Sequence, residues 1–357
     1  MPVDNEKDSL WGQLTTVLIN CSWHHESNNV DNLRFTIPFT EQIHTRLLDL
    51  AAAFGAYRPS VIRFDILMDL FKIPGIDQAY RLLHDRPSRD LFLLLLAYQV
   101  LGREHVRLPL NDEKYWRLRR TLNQYMEKRD TIKGIPILGS LDLFCVNGVR
   151  LNTHRLGLLN TFLLQQYRCE RAGIGVNRGD VVIDAGGCWG DTALYFAQNA
   201  AQVFCFECIP SNIKIIHQNL ELNPALSSKI QLTNKALWNR SGEKLVFKDS
   251  GPGSRPTANE TGIEVETQTI DDFVSSNLLR RIDFIKMDIE GTEPRALQGA
   301  EETIRTYRPK LAISIYHEIA HYASIPNWIA SLGLGYRFYL DHFTVHSEET
   351  VLFAQAR

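Results

Sequence analysis

The sequence predicts an α/β fold: a Rossmann-like, mostly parallel sheet, closed by an antiparallel C-terminal strand pair and preceded by a mainly helical segment. Three observations carry this reading. From Asp180 onward, short apolar runs alternate with helical patterns, the order that βαβ units impose. One of these runs, Val181–Ile183, ends in Asp184 and breaks at once into glycines before a helical pattern begins. The last two strand patterns, Tyr336–Leu340 and Val351–Ala354, are joined by a short polar turn, which makes them an antiparallel pair.

Composition narrows the class. The chain has 357 residues, enough for two domains with sizeable cores. It is 44% hydrophobic and 22% charged, which reads as soluble and globular. A formal net charge of −2 speaks against a polyanion or an acidic membrane as partner. The start of the chain, Met1–Gln13, lacks the basic and apolar regions of a signal peptide. The apolar run Leu91–Tyr98 is too short to span a bilayer. Six scattered cysteines suggest a reducing compartment, hence a cytoplasmic protein, rather than a disulfide framework.

Residues 1–130 read as a mainly helical domain. Phe39–Phe54 and Ser88–Leu101 carry helical periodicity, the second apolar all round and therefore buried. Lys114–Tyr125 is amphipathic and basic, but Glu113, Glu127 and Asp130 flank it, so a nucleic-acid partner is not expected. His24 and His25 read as solvated loop. Residues 131–175 lead into the main fold. Ile135–Gly139, Leu143–Val146 and Val149–Leu151 are strand-like, with Asn147-Gly148 as a hairpin turn. A helix over His154–Arg171 is expected to pack across the open edge of the cofactor pocket.

Residues 176–357 form the α/β domain. After Val181–Ile183 comes a second strand, Gln202–Phe206, ending at Glu207. A helix over Ser211–Leu222 stops at Asn223-Pro224. The third strand is Ile230–Leu237, with Leu245–Lys248 as its antiparallel neighbour. Asp249–Gly262, with Gly251-Pro252-Gly253 and Pro256, is the longest structureless insertion and a candidate substrate lid. Thr269 caps a short helix. Ile282–Asp288 is the fourth strand, Pro294 opens the next helix, and Lys310–His317 is the fifth strand. A helix around Trp328 precedes the closing pair.

The glycine turn is the chemical centre. Glycines let a backbone approach a ligand closely, and a strand, a tight turn and a helix N-terminus together receive an adenosine-containing ligand. A dinucleotide site wants G-x-G-x-x-G, but counting from Gly186 the other glycine slots hold Cys188 and Asp191. Glu207 lies about 20 residues beyond, where an acid holds ribose hydroxyls in NAD and S-adenosylmethionine (SAM) proteins alike. Cys205 and Cys208 have C-x-x-C spacing without a second pair, and read as packing beside the cofactor rather than as a zinc or redox site.

The pattern Asp184-x-Gly186-x-x-x-Gly190 resembles the first motif of SAM-dependent methyltransferases. Phe206-Glu207 followed by Pro210 and Asn219, the run Ile285–Glu293, and Ala296–Ala300 just after it resemble the FkbM family of those enzymes. The resemblance covers roughly residues 165–355, and its most specific part is Asp288-x-Glu290-Gly291-x-Glu293. Gly187-Cys188 stands where members often have Ala-Asn, and two residues separate Glu207 from its proline where members usually have none. The resemblance implies a class I SAM-methyltransferase sheet, SAM as cofactor, and O-methylation of a small molecule such as a sugar or polyketide. The expected cofactor contacts are Asp184, Gly186, Gly187, Cys188, Trp189, Gly190, Asp191, Thr192, Glu207, Cys208, Ala236 and Asp288.

An aliphatic hydroxyl needs a proton acceptor during transfer. Asp288 and Glu290 are two apart and share a face if the extended backbone continues that far. His317 has the intrinsic pKa of a base near neutrality. His317, Glu290 and Asp288 are therefore the catalytic candidates, with helix capping and backbone hydrogen bonds as their bland alternatives. His317-Glu-Ile-Ala-His321 is a formal H-E-x-x-H zinc motif. Because His317 ends a strand pattern, the two imidazoles should diverge, and no metal is expected. An NAD-dependent oxidoreductase and a non-catalytic SAM-binding protein are the alternatives from other classes.

Overall fold

Helices come first, and they form where the sequence supplies caps. In the computed structural model, which describes residues 9–24, 26, 29–31, 63–135, 139–257 and 261–357, Ser9 caps Leu10–Ser22 by accepting from the Gly12 amide. Phe64–Lys72 and Ile76–Leu82 follow. Asp85 caps Arg86–Leu101 with Pro87 in its first turn, and Asp112 caps Glu113–Thr121. The basic helix passes into a 3₁₀ turn at Leu122–Tyr125, and its Arg119 and Arg120 pair with Asp31 and Glu113. The expected helix Phe39–Phe54 and His25 lie outside the described residues. His24 is exposed.

Strand period begins at Met126 rather than Ile132. Strand β1 (Met126–Ile135) pairs with β2 (Gly139–Val146), and β2 with β3 (Val149–Thr153), in an antiparallel three-stranded sheet. Asn147 and Gly148 make the expected tight turn, with φ of 50° and 80°. The helix expected over His154–Arg171 is shorter. Arg155–Gly157 is α-helical, Leu158–Leu163 is π-helical, and the chain then turns away, freeing Tyr167 to point into the site.

The central sheet consists of β4 (Val181–Ala185), β5 (Gln202–Phe206), β6 (Ile230–Thr233), β10 (Phe284–Met287), β11 (Lys310–Ser314), β12 (Arg337–His342) and β13 (Thr350–Gln355). Its order is β12-β13-β11-β10-β4-β5-β6, with β13 antiparallel to both neighbours and the rest parallel. β4, β10 and β11 are buried almost throughout, as strands covered on both faces must be.

The third strand pattern is split. Ile230–Thr233 stays in the main sheet, whereas β7 (Ala236–Leu237) leaves it for a small sheet with β8 (Lys244–Phe247) and β9 (Ile263–Gln268). β8 pairs with β9, a strand the sequence pattern concealed, and not with the third strand. The alternating burial of β9, with Glu264 and Glu266 outward and Val265 inward, is that of a one-sided strand. Thr269 caps Ile270–Ser276 by accepting from the Asp272 amide, and Glu293–Gln298 starts with proline in its first turn.

The N-terminal helices share a core with one face of the sheet. Leu14, Leu70, Phe92 and Leu96 belong to the same buried cluster as Ile183, Ile285, Leu311 and Leu352. Polar groups fix the seam. Arg171 reaches both Asp85 and Asp341, and Ser88 Oγ accepts from the Leu340 amide. No helix among the described residues is long and apolar enough to cross a membrane.

Candidate active site

The carboxyl ends of β4, β5, β10 and β11 converge on two adjoining cavities. The first is a groove lined by Gly186, Cys188, Glu207, Cys208, Ile209, Asn212, Ala236, Trp238 and Asp288, among others. The second is a wider cavity of about 500 Å³, bordered by Tyr167, Trp189, Asp191, Lys286, Asp288, Glu290 and His317, among others. Gly186, Cys188, Asp288 and Glu290 line both.

The groove is built from backbone. Glu207, at the end of β5, accepts from the amides of Cys188, Cys208 and Ile209 at 2.8–2.9 Å. Burial nevertheless pushes its carboxyl up to about 7. Gly186 has a φ of +85°, and a Cβ there would lie 1.9 Å from the Asp288 carbonyl oxygen. A Cβ on Gly187 would strike the Cys205 sulfur at 2.2 Å. The glycines are therefore demanded first by neighbouring chain, with β10 and β5 passing directly beneath the turn.

Several expected contacts move accordingly. Gly186, Cys188, Trp189, Asp191, Thr192, Glu207, Cys208, Ala236 and Asp288 line the cavities. Asp184, Gly187 and Gly190 do not. Gly190 packs on Ile216. Asp184 is fully buried: it accepts from the Thr192 hydroxyl at 2.7 Å and lies 3.1 Å from Lys286 Nζ. Parallel register sets Lys286 beside Asp184 on the adjacent strand. Lys286 also donates to the carbonyls of Ala185 and Gly186, so a buried ammonium knots β10 to the glycine turn. Burial pushes the thiols of Cys188, Cys205 and Cys208 up.

The wider cavity is built from ionisable side chains. β10 ends at Met287, and Glu290 takes a left-handed φ of +57°, so the extended backbone expected to align Asp288 with Glu290 does not continue. A turn brings them together instead, held by Glu293, which accepts from the amides of Ile289 and Gly291. β11 likewise ends at Ser314, three residues before His317. His317 Nε2 lies 3.3 Å from Asp288 Oδ1 and 3.6 Å from Glu290 Oε2, and Nδ1 lies 3.0 Å from Glu293 Oε1. Tyr167 donates to Asp288 Oδ2 at 2.8 Å, and Tyr316 to Oδ1 at 3.3 Å.

Electrostatics reverse an expected role. Although burial opposes its charge, the carboxylates of Glu290, Glu293 and Asp288 hold the His317 imidazole protonated, pushing its pKa up to about 11. In that charged state the ring does not act as the neutral base that spacing suggested. Burial pushes Asp288 up to about 6, against the pull of His317 and Lys286. The imidazoles of His317 and His321 also fail to diverge. Helix His321–Ser331 begins beyond His317, yet His321 Nδ1 lies 3.7 Å from Glu293 Oε2, so both rings approach one carboxylate.

The expected lid lies across both cavities. Gly251 and Ser254 are buried, Pro252 lines both cavities, and Arg255 reaches Glu290 at 3.3 Å. Residues 258–260 are outside the described set. Sequence reasoning missed Tyr167, Lys286, Asn212 and Arg255. A lone lysine in an apolar strand was a usable signal, since a buried charge demands a partner. Tyr167 lay in a segment expected across the edge of the pocket, but its reach to Asp288 depends on where the π-helical turn ends.

The strand order and the cavities at the carboxyl edge define a class I methyltransferase fold. Residues 173–338 match the model of the methyltransferase FkbM domain. The chain resembles the methyltransferase FkbM of Methylobacillus flagellatus at 19% identity, over 89% of this chain and 71% of that one, with a TM-score of 0.52. It also resembles an rRNA methylase of Streptococcus thermophilus at 12% identity (51% and 89% covered, TM-score 0.35). A third likeness is to Aeropyrum pernix fibrillarin with bound S-adenosyl-L-methionine, at 11% identity (64% and 84% covered, TM-score 0.36). No curated protein matches the sequence.

Proposed function

We propose that this chain transfers a methyl group from SAM to a hydroxyl of a small, polar acceptor. One observation carries the reading: Asp288 stands where the groove ending at Glu207 meets the cavity lined by Glu290 and His317. The residues fit the cofactor. Glu207 retains acceptor capacity for ribose hydroxyls beyond its backbone partners, and Ile209, Leu237 and Phe247 offer apolar walls to a flat base. Cys188, Trp189 and Asp191 border the side where a methionine moiety would lie. When bound, the cofactor supplies an electrophilic methyl on a sulfonium.

The protein's own contribution is placement and proton handling. Asp288 is the proton acceptor in this reading. Tyr167 and Tyr316 fix its carboxylate, and a pKa near 6 leaves it ionised yet basic at neutral pH. His317, charged, keeps Asp288 ionised and offers a positive group beside the acceptor oxygen. Glu290 holds the acceptor from the opposite side, with Arg255 closing over it.

Calorimetry with SAM and with NAD, followed by transfer of a labelled methyl group to a panel of sugars and polyketides, tests the proposal. Binding of NAD in place of SAM, or SAM binding with no transfer to any hydroxyl, rejects it.

A further inference from the structure

We infer that Glu293 is a positioning residue: it acts through His317, holding the imidazole from its Nδ1 side so that Nε2 faces Asp288 and the acceptor cavity. The two side chains are 0% and 1% exposed, and their ion-pair contact is 3.0 Å. Glu293 does not border the cavity, whereas His317 does, so the ring gives Glu293 a route to the acceptor beside the one through the turn of Glu290. The carboxylate is itself immobilised by the amides of Ile289 and Gly291, in the turn that presents Glu290. A fixed anion behind an imidazole sets both ring orientation and proton occupancy.

Asp288, Glu293 and His317 also offer ligand atoms within 4.8 Å of one another, the spacing of a metal site. Each residue gives one atom to that grouping, while the ring as a whole has Asp288 and Glu290 near Nε2 and Glu293 near Nδ1. Charge complementarity between an imidazolium and carboxylates on both its sides accounts for the same contacts. Other charged groups near the cluster are Lys286 on β10, Arg255 from the lid, Glu349 before β13, and Glu318 and His321 on the segment of His317 itself.

The test is nuclear magnetic resonance of labelled histidine in the full chain, which needs neither cofactor nor acceptor. In the wild type, His317 should keep its imidazolium signature well above neutral pH. In Glu293→Gln its apparent pKa should fall by about a unit or more. Glu293→Asp, which keeps the charge but retracts it by one methylene, should shift it in the same direction by less, and serves if the Gln variant does not fold. A His317 signature unchanged in either folded variant overturns the proposal. The activity arm rests on the methyl-transfer reading. Glu293→Gln should lower turnover about 10- to 100-fold in the wild-type background and less than about twofold in His317→Ala. Equal losses in both backgrounds make Glu293 merely structural and overturn the inference.

Discussion

The two cavities meet at Asp288 but are built on different principles. Around Glu207, backbone amides and glycine-enforced contacts shape the groove, and each carboxylate oxygen already has a backbone donor. Around His317, side chains from four separate stretches set one another's charge: Tyr167, Asp288 to Glu293, His317 and the lid's Arg255. A groove built this way is sensitive to added bulk at Gly186 and Gly187. A site built from coupled ionisable groups is sensitive to each charge and to pH.

The sharpest way to break this comparison is at the shared residue. Asp288→Asn keeps shape while removing charge, and turnover should fall by about 10²–10⁴, with SAM affinity within about tenfold of wild type. If Glu290→Gln is dead in labelled-methyl transfer while Asp288→Asn stays active, the proton goes to Glu290 instead. Next in size is the knot beneath both cavities. Lys286→Met leaves Asp184 buried without a counter-charge and should cost about 3–5 kcal/mol in denaturant unfolding. Adding Asp184→Asn should recover part of that loss; no recovery would remove the pair as the cause.

On the groove side, Glu207→Ala should weaken SAM by about 1.5–3 kcal/mol, roughly ten- to a hundredfold, while sparing the charge network. Unchanged affinity by calorimetry removes Glu207 from the cofactor site. Turnover should rise with pH through about 6 as Asp288 loses its proton, and fall away below, because burial raises that carboxyl and only the carboxylate accepts. A pH–rate limb near 7 that disappears in His317→Ala would restore the imidazole as base. The smallest effect belongs to the lid. Arg255 is half exposed, so Arg255→Ala should cost at most about 1 kcal/mol, seen as a few-fold rise in acceptor KM.

Much of the frame was legible without coordinates. Val181–Asp184, Gln202–Glu207 and the closing antiparallel pair fall where apolar period and turn residues put them, because burial on two faces leaves an unmistakable run. Glu207 could be placed at a strand end by position, and the Asp288–Glu293 run was singled out by its resemblance to a known motif, although its backbone was expected to stay extended. Tertiary structure decided the rest. It placed Asp184 against Lys286 and outside the lining of both cavities, through register between strands about 100 residues apart. It split Ile230–Leu237 between two sheets, which periodicity cannot distinguish from one longer strand. It also turned His317 from a neutral base into a charged partner of three carboxylates. Local sequence determines which residues form strands and turns; the charge of a buried group is set by neighbours that only the completed fold brings within 4 Å.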